Sequence, residues 1–133
     1  MKNLQNALIL LMATAYFSQL YASSVDSLPM VKRAIKIKDS INLSYFDVGQ
    51  GPAIVFIHGL GSNKKSWSKT IAYLKDQYRC LALDLPGYGE SYVGDCPRSM
   101  SFFSECIVDF VSALGIDNFH LAGHSMGGHI ALY

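Results

Sequence analysis

The chain has 133 residues, half of them apolar, and its 11 Lys and Arg against 10 Asp and Glu leave a formal net charge of +1 at pH 7. A chain of this length forms one domain at most. Its basic residues are scattered, and the densest stretch, 32–38, alternates with isoleucines like the solvent face of a strand. This distribution excludes a basic surface for nucleic acid, so no nucleic-acid partner is expected.

Residues 1–24 have the features of a secretory signal peptide. Lys2 gives a positive start, residues 7–17 form an apolar core, and Ala22-Ser23-Ser24 supplies small residues that predict cleavage before Val25. The apolar core is shorter than the roughly 20 residues of a membrane span. We therefore expect a secreted or periplasmic protein without a stable membrane span after cleavage, with an N-terminal membrane anchor as the alternative.

Three cysteines would then lie in an oxidising compartment. Cys96 and Cys106 could pair, which would leave Cys80 unpaired in a strand. The alternative is that all three are small buried apolar residues. An odd number of cysteines predicts no disulfide framework.

The mature chain would comprise residues 25–133, and its first half begins with a predicted hairpin. Residues 33–39 and 41–47 alternate polar and apolar side chains, and Asp39-Ser40 lies between them. After a turn at 49–52, the apolar run 53–57 predicts a central strand that is covered on both faces. A glycine-rich loop follows, and then a helix capped by Ser62 or Ser66 whose apolar face contains Trp67, Ile71, Leu74 and Tyr78.

The second half repeats the alternation of strand and helix. Residues 80–83 predict a buried strand that runs into the loop 84–91. Ser99 or Ser101 opens an amphipathic helix that ends at Gly115. A short strand at 119–122 follows, and residues 128–133 begin another helix. Alternating strands and helices predict parallel pairing after the antiparallel hairpin.

Parallel strands gather their carboxyl-end loops on one side of a sheet, where open α/β sheets place ligands. The loops 58–61, 84–91 and 123–127 are therefore expected on a common rim. In the last of them, Gly123-His124-Ser125-Met126-Gly127 fits the G-x-S-x-G pattern of a nucleophile elbow. Such a turn requires a positive φ at the serine and small neighbours two residues away. The alternative is a glycine-rich turn whose serine only caps the following helix.

Two rival kinds of site are weighed against this interpretation. A nucleotide-binding loop would need glycine at positions 64 and 92, where Lys64 and Tyr92 stand. A metal site could use His120, His124 and His129, but the elbow interrupts the helical spacing of the first two. We therefore predict neither a nucleotide site nor a metal site.

Three motifs, taken in order, resemble those of the α/β-hydrolase superfamily, in its large group of small esterase-like and peroxidase-like members. They are His58-Gly59-Leu60-Gly61 after the third strand, Asp84-x-x-Gly87-x-Gly89-x-Ser91 after the fourth, and Gly123-His124-Ser125-Met126-Gly127-Gly128 at the elbow. The resemblance covers roughly residues 33–133, the N-terminal half of such a fold. It implies a mostly parallel sheet with helices on both faces, an antiparallel hairpin at the start, and an incomplete C-terminal end.

The resemblance also implies a role for single residues. Ser125 would attack a substrate carbonyl to form an acyl-enzyme, and the backbone N–H groups of Leu60 and Met126 would stabilise the oxyanion. His58 would brace the oxyanion loop and would not be the catalytic base. Asp84 is expected to accept hydrogen bonds from its own turn. Such chemistry needs a small-molecule acyl substrate and no cofactor.

In this superfamily the triad acid and histidine follow the serine. Tyr133 comes eight residues after Ser125, so both partners are absent here, and His120, His124 and His129 are not at the base position. We therefore expect a fragment, from a partial gene model or a truncated reading frame, whose activity belongs to the complete parent protein. Strand 119–122 would then be an apolar open edge. The alternative is a truncated or non-catalytic protein that acts by binding or has no activity.

The serine at the elbow bears on the reaction. Members of the dehalogenase and epoxide-hydrolase branches resemble this chain but carry an aspartate at that position. Hydrolysis of a carboxylic ester is therefore the preferred reaction. Lipase, thioesterase, aminopeptidase, C–C bond hydrolase and perhydrolase chemistry stay open.

Overall fold

The computed structural model describes residues 30–38, 41–95 and 97–133. The predicted signal peptide, residues 1–24, lies outside the described residues. The strands are β1 (Lys32–Ile37), β2 (Ile41–Val48), β3 (Ala53–Ile57), β4 (Arg79–Leu83) and β5 (Phe119–Gly123). A 3-10 helix (Lys64–Trp67) precedes the helices α1 (Ser68–Leu74), α2 (Met100–Ala113) and α3 (Met126–Ala131).

The strands form one mixed sheet in the order β1-β2-β4-β3-β5. The predicted hairpin is confirmed, since β1 and β2 pair antiparallel with Ile37 opposite Ile41. β2 also pairs antiparallel with β4, whereas β3 runs parallel to both of its neighbours, β4 and β5. The predicted α/β arrangement with an antiparallel start is therefore present, and two of the four pairings are parallel.

The central strand β3 explains why its sequence is apolar without alternation. Val55 and Ile57 lie on the side of the sheet that α2 covers, in a cluster with Phe103 and Phe110. Phe56 lies on the opposite side, in a second cluster with Ile71 of α1. Both faces of β3 are thus removed from water, as predicted from the continuous run 53–57.

The helix starts were predicted with mixed success. Ser99 caps α2 as expected, because its Oγ accepts a hydrogen bond from the Phe102 N–H at 3.2 Å. The prediction that Ser62 or Ser66 caps the first helix is wrong. Asn63 Oδ1 accepts from the Lys65 N–H at 3.0 Å instead, and α1 begins after the 3-10 turn without a side-chain cap. Asparagine is as good an N-cap as serine, and here it stands directly before the first turn.

The described cysteines are buried. Cys80 lies on β4 and Cys106 on the inner face of α2, as expected of small apolar residues. Burial raises the pKa of the Cys80 thiol. Cys96, and with it the predicted pairing to Cys106, lies outside the described residues.

The strand β5 forms one end of the sheet. It pairs with β3 on one side only, and 41 % of Leu121 is exposed. Within the described residues, β5 is therefore the open apolar edge that was predicted. Among those same residues, no helix is both long and apolar enough to cross a membrane.

Candidate active site

The candidate site is built around the turn between β5 and α3. Ser125, in this turn, has φ 52° and ψ −116°, so the predicted positive φ is confirmed. The turn is held by a bond from the His124 N–H to the Ile57 carbonyl (3.1 Å) and one from the Gly127 N–H to the His124 carbonyl (2.9 Å). The Ser125 side chain makes no capping hydrogen bond to α3, so the alternative of a simple helix cap is wrong. Ser125 is exposed at the end of the sheet.

The glycines on either side of Ser125 are required by close backbone contacts. A Cβ at Gly123 would overlap the Gly127 carbonyl oxygen across the turn. A Cβ at Gly127 would overlap the Ile57 carbonyl oxygen and lie 2.8 Å from the His58 carbonyl oxygen. The absence of both side chains therefore lets α3 start directly against the end of β3.

Alanine substitutions in this turn should separate two effects on stability, the close backbone contacts of a glycine and the helix propensity of the residue. Gly127→Ala is expected to destabilise the protein by about 3 kcal/mol or more, because backbone must shift to admit the methyl group. Gly128→Ala is the matched control, since its Cβ would meet nothing closer than 3.6 Å and would favour the helix by about 1 kcal/mol. Urea unfolding of both variants measures the difference, and equal effects would contradict the contact argument.

Three loops meet at the rim because β3, β4 and β5 run parallel. Ile57 lies opposite Leu83 on one side and opposite Gly123 on the other, so the loops that follow emerge together. The motif glycines lie in these loops, at the end of β5 and at the start of α3: Gly59, Gly61, Gly87, Gly89, Gly123, Gly127 and Gly128. The predicted common rim is therefore confirmed.

An open depression of about 500 Å³ lies at this rim, within the usual size range of ligand pockets. Ser125, Leu60 and Met126, the three residues assigned to chemistry from the sequence, all line it. The other lining residues come from the β4 loop, the start of α2 and α3: Tyr88, Arg98, Met100, Phe103 and His129. We refer to this feature as the serine depression.

The loop after β3 lies directly against the elbow. A Cβ at Gly59 would lie 3.0 Å from His124 Nδ1 and 3.3 Å from the Ser125 Cβ. In the described part of the chain, neither the Leu60 N–H nor the Met126 N–H donates a hydrogen bond to another protein group. Two backbone donors without protein acceptors thus border the same depression as the serine hydroxyl, an arrangement suited to holding an oxyanion.

His58 connects the loops after β3 and β4. The buried ring accepts a hydrogen bond from the Leu85 N–H at Nε2 (3.1 Å), so Nδ1 carries the proton and donates to the Gly59 carbonyl (2.8 Å). Tyr88 packs edge-on against the ring at 5.3 Å. Both nitrogens are therefore engaged in holding the loops, and neither is left to take a proton from Ser125.

The neutral state of His58 predicts a pH dependence of stability. Burial lowers its pKa in the folded protein, so below about pH 6.5 the unfolded chain binds a proton that the folded chain does not. The free energy of unfolding should fall as the pH drops from 6.5 towards the folded-state pKa of His58. Urea midpoints between pH 8 and pH 5 measure this loss, and a variant with His58→Gln should show a flatter profile.

Asp84 accepts hydrogen bonds from more segments than its sequence position indicated. Its Oδ2 accepts from the Glu90 N–H of its own turn (2.8 Å), as predicted. It also accepts from the Lys64 Nζ, while Oδ1 accepts from the Lys64 backbone N–H, both at 2.6 Å. The predicted bond to its own turn is therefore present, and this buried carboxylate also binds the segment after β3.

Lys64 was not recognised from the sequence as part of the site. Only 1 % of it is exposed, and its ammonium group contacts Asp84 and, at 2.7 Å, Glu90. Burial disfavours the charged form, but the two carboxylates outweigh it and raise the pKa of Lys64. Lys64 and then Lys32 in turn hold the pKa of Glu90 at about 2. No local pattern distinguishes Lys64 from its exposed neighbour Lys65.

The three histidines near the elbow lie in different surroundings. His120 is exposed on β5, His124 lines a smaller depression beside Trp67, and His129 of α3 lines the serine depression. The backbone N–H of His129 donates to the Ser125 carbonyl (3.2 Å), but in the described residues none of the three rings hydrogen-bonds the Ser125 hydroxyl. Among those residues, no group of three or more His, Cys, Asp or Glu is placed to hold a metal ion.

Comparison with known proteins decides the family. The family described as "alpha/beta hydrolase fold" matches residues 52–133, more than half of the chain. The chain belongs to the α/β-hydrolase family. This places the elbow, the glycine-rich loop after β3 and the β4 loop within an α/β-hydrolase domain.

Several proteins similar to this α/β-hydrolase chain are named as hydrolases or as a phospholipase. It is 30 % identical over 101 residues to (E)-2-((N-methylformamido)methylene)succinate hydrolase of Acinetobacter baylyi, covering 76 % of this chain and 38 % of that protein. It is 34 % identical to epoxide hydrolase 2 of Siraitia grosvenorii, covering 71 % and 31 %. A bacterial membrane phospholipase A of known crystal structure superposes with a TM-score of 0.75 at 30 % identity, covering 98 % of this chain and 46 % of that one. The chain thus spans less than half the length of these relatives.

Proposed function

We propose that the complete parent protein is a serine hydrolase that cleaves a carboxylic ester or a related acyl substrate through an acyl-enzyme on Ser125. The observation that carries this proposal is the combination of a positive φ at an exposed serine with two backbone donors bordering the same depression. Because the chain covers only part of its relatives, the triad histidine and acid are proposed to come from other parts of the parent protein.

Together with a histidine from another part of the parent protein, the described residues would support the following chemistry. Ser125 Oγ attacks the carbonyl carbon while the histidine takes the hydroxyl proton, and the N–H groups of Leu60 and Met126 stabilise the oxygen that becomes negative. Collapse of the tetrahedral intermediate breaks the bond to the alcohol, which leaves with the proton. Water then hydrolyses the acyl-enzyme by the same steps and regenerates Ser125.

Ester cleavage is favoured over epoxide opening by the residue at the elbow. The epoxide-hydrolase relatives share the fold, but the resemblance assigns that branch an aspartate where this chain has Ser125. The phospholipase A relative supports an acyl ester as substrate by its name. His58 and the Lys64–Asp84 pair fix the loops that border the serine, which favours a preorganised site.

Labelling with a fluorophosphonate probe tests the proposal. The probe should modify Ser125 of the full-length protein, because it reacts with activated serines, and mass spectrometry of the labelled peptide identifies the residue. The exposed Ser66 in the 3-10 helix serves as an internal control and should stay unmodified. A full-length protein that leaves Ser125 unlabelled would favour the alternative, a non-catalytic member that acts by binding.

A further inference from the structure

Arg98 stands out among the residues that line the serine depression. It follows the β4 loop, two positions before α2 begins, and lines the same depression as Ser125 and Met126. Its guanidinium group lies against the rim, since a Cβ at Gly87 would be 3.6 Å from Arg98 Nη2. The guanidinium therefore lies in van der Waals range of the β4 loop, and Arg98 borders the same depression as the candidate nucleophile.

The charge of Arg98 has no partner in the described protein. The other two arginines, Arg33 and Arg79, both contact Asp47, at 3.5 and 2.9 Å. Arg98 makes no such ion pair with any described carboxylate, and no acidic residue lines the serine depression. A guanidinium that faces an acid-free depression offers planar, paired donors for a carboxylate or a phosphate.

The other residues that line the serine depression indicate what kind of ligand fits beside Arg98. Leu60, Met100 and Phe103 present apolar surface next to Ser125. This surface fits an apolar chain whose one end lies at the serine while another part reaches Arg98. We infer that Arg98 determines specificity by binding an anionic group, a carboxylate or a phosphate, of the substrate whose ester is cleaved at Ser125. The inference rests on the proposed function and names its substrate class.

A matched pair of chromogenic esters tests the inference on the full-length protein. The 4-nitrophenyl monoester of glutaric acid carries a free carboxylate, and 4-nitrophenyl pentanoate carries a methyl group in its place. The ratio of their kcat/KM values should fall about tenfold in the variant with Arg98→Gln, the change expected when one charge-assisted contact in a partly exposed site is lost. Arg98→Lys should keep part of the ratio, because it retains the charge without the planar geometry. Added salt should reduce the ratio of the unchanged protein.

The control variant is Lys69→Gln, which removes an exposed positive charge from α1, away from the serine depression. Its ratio should match that of the unchanged protein. An equal fall in Lys69→Gln and Arg98→Gln would overturn the inference, since the overall charge would then explain the preference. An unaltered ratio in Arg98→Gln would overturn it while leaving the hydrolase proposal intact. Failure of both esters together with failure of fluorophosphonate labelling would overturn both.

Protection of Ser125 separates the two kinds of anion without relying on turnover. Glutarate or glycerol phosphate that occupies the Arg98 site should slow fluorophosphonate labelling of Ser125, and this protection should disappear in Arg98→Gln. Stronger protection by glutarate identifies a carboxylate substrate, and stronger protection by glycerol phosphate identifies a phosphate-bearing one. Absence of protection by either anion would contradict the inference.

Discussion

Replacing Ser125 by alanine in the full-length protein is expected to lower kcat for ester hydrolysis by about 10⁶-fold, the loss that follows removal of a serine nucleophile. The reason is that the remaining donors, the N–H groups of Leu60 and Met126, can polarise a carbonyl but cannot form the acyl-enzyme. The measurement is kcat with 4-nitrophenyl pentanoate, with fluorophosphonate labelling in parallel. A variant that kept a tenth of the activity would show that Ser125 is not the nucleophile.

Glycine at the same position is the matched variant that isolates backbone strain. Ser125 has φ 52° and ψ −116°, a conformation that glycine adopts readily and alanine does not. The Ser125→Gly protein should therefore be more stable than the Ser125→Ala protein by about 1 kcal/mol, although both lack the hydroxyl group. Urea unfolding of the two variants compares them directly. Equal stabilities would mean that the elbow is not strained.

The second large effect is expected at Lys64. Replacing it by methionine should lower the free energy of unfolding by about 3–5 kcal/mol, because Asp84 would be left as an unpaired charge in the protein interior. Asp84 is fully buried, and its carboxylate accepts three hydrogen bonds, two of them from Lys64. The backbone bond from Lys64 survives the substitution, but the ammonium group that balances the charge does not.

Two further variants distinguish the effect of the lost charge on stability from the effect of altered packing. Lys65→Met alters the exposed neighbour and should change stability by less than about 0.5 kcal/mol. The double variant Lys64→Met with Asp84→Leu removes both buried charges and should recover a large part of the loss, since apolar replacements of buried ion pairs are often neutral. Urea unfolding of the full-length protein measures all three. If Lys64→Met behaved like Lys65→Met, the buried pair would not be important for stability.

The elements of this fold were predictable where a local pattern set the answer. The continuous apolar run 53–57 indicated a strand with two buried faces, and β3 has α1 and α2 on its two sides. Ser99 and Gly115 marked the ends of α2, because capping depends on residues next to one another in the chain. The same local reasoning failed before α1, where Asn63 and neither Ser62 nor Ser66 caps the 3-10 helix, and α1 itself has no side-chain cap.

The location of the candidate site also followed from pattern and topology together. The elbow motif fixed Ser125, and parallel pairing placed its loop beside the loop of Leu60. The sequence predicted one helix face containing Trp67 and Tyr78, but α1 spans only Ser68–Leu74. Both residues still pack in the cluster of Ile71, because the turns that flank α1 keep them on the same side of the sheet.

By itself the sequence determined the order of the strands and helices, the glycine-rich loops and the serine at the elbow, because each is set by residues that are close along the chain. Only the tertiary structure decided which charges are paired. Lys64 and Asp84 are twenty residues apart, and they meet because β3 and β4 are adjacent. Arg98, which precedes α2, lines the serine depression together with Ser125, which follows β5. Burial and charge pairing depend on contacts between distant segments, and a local sequence pattern does not predict such contacts.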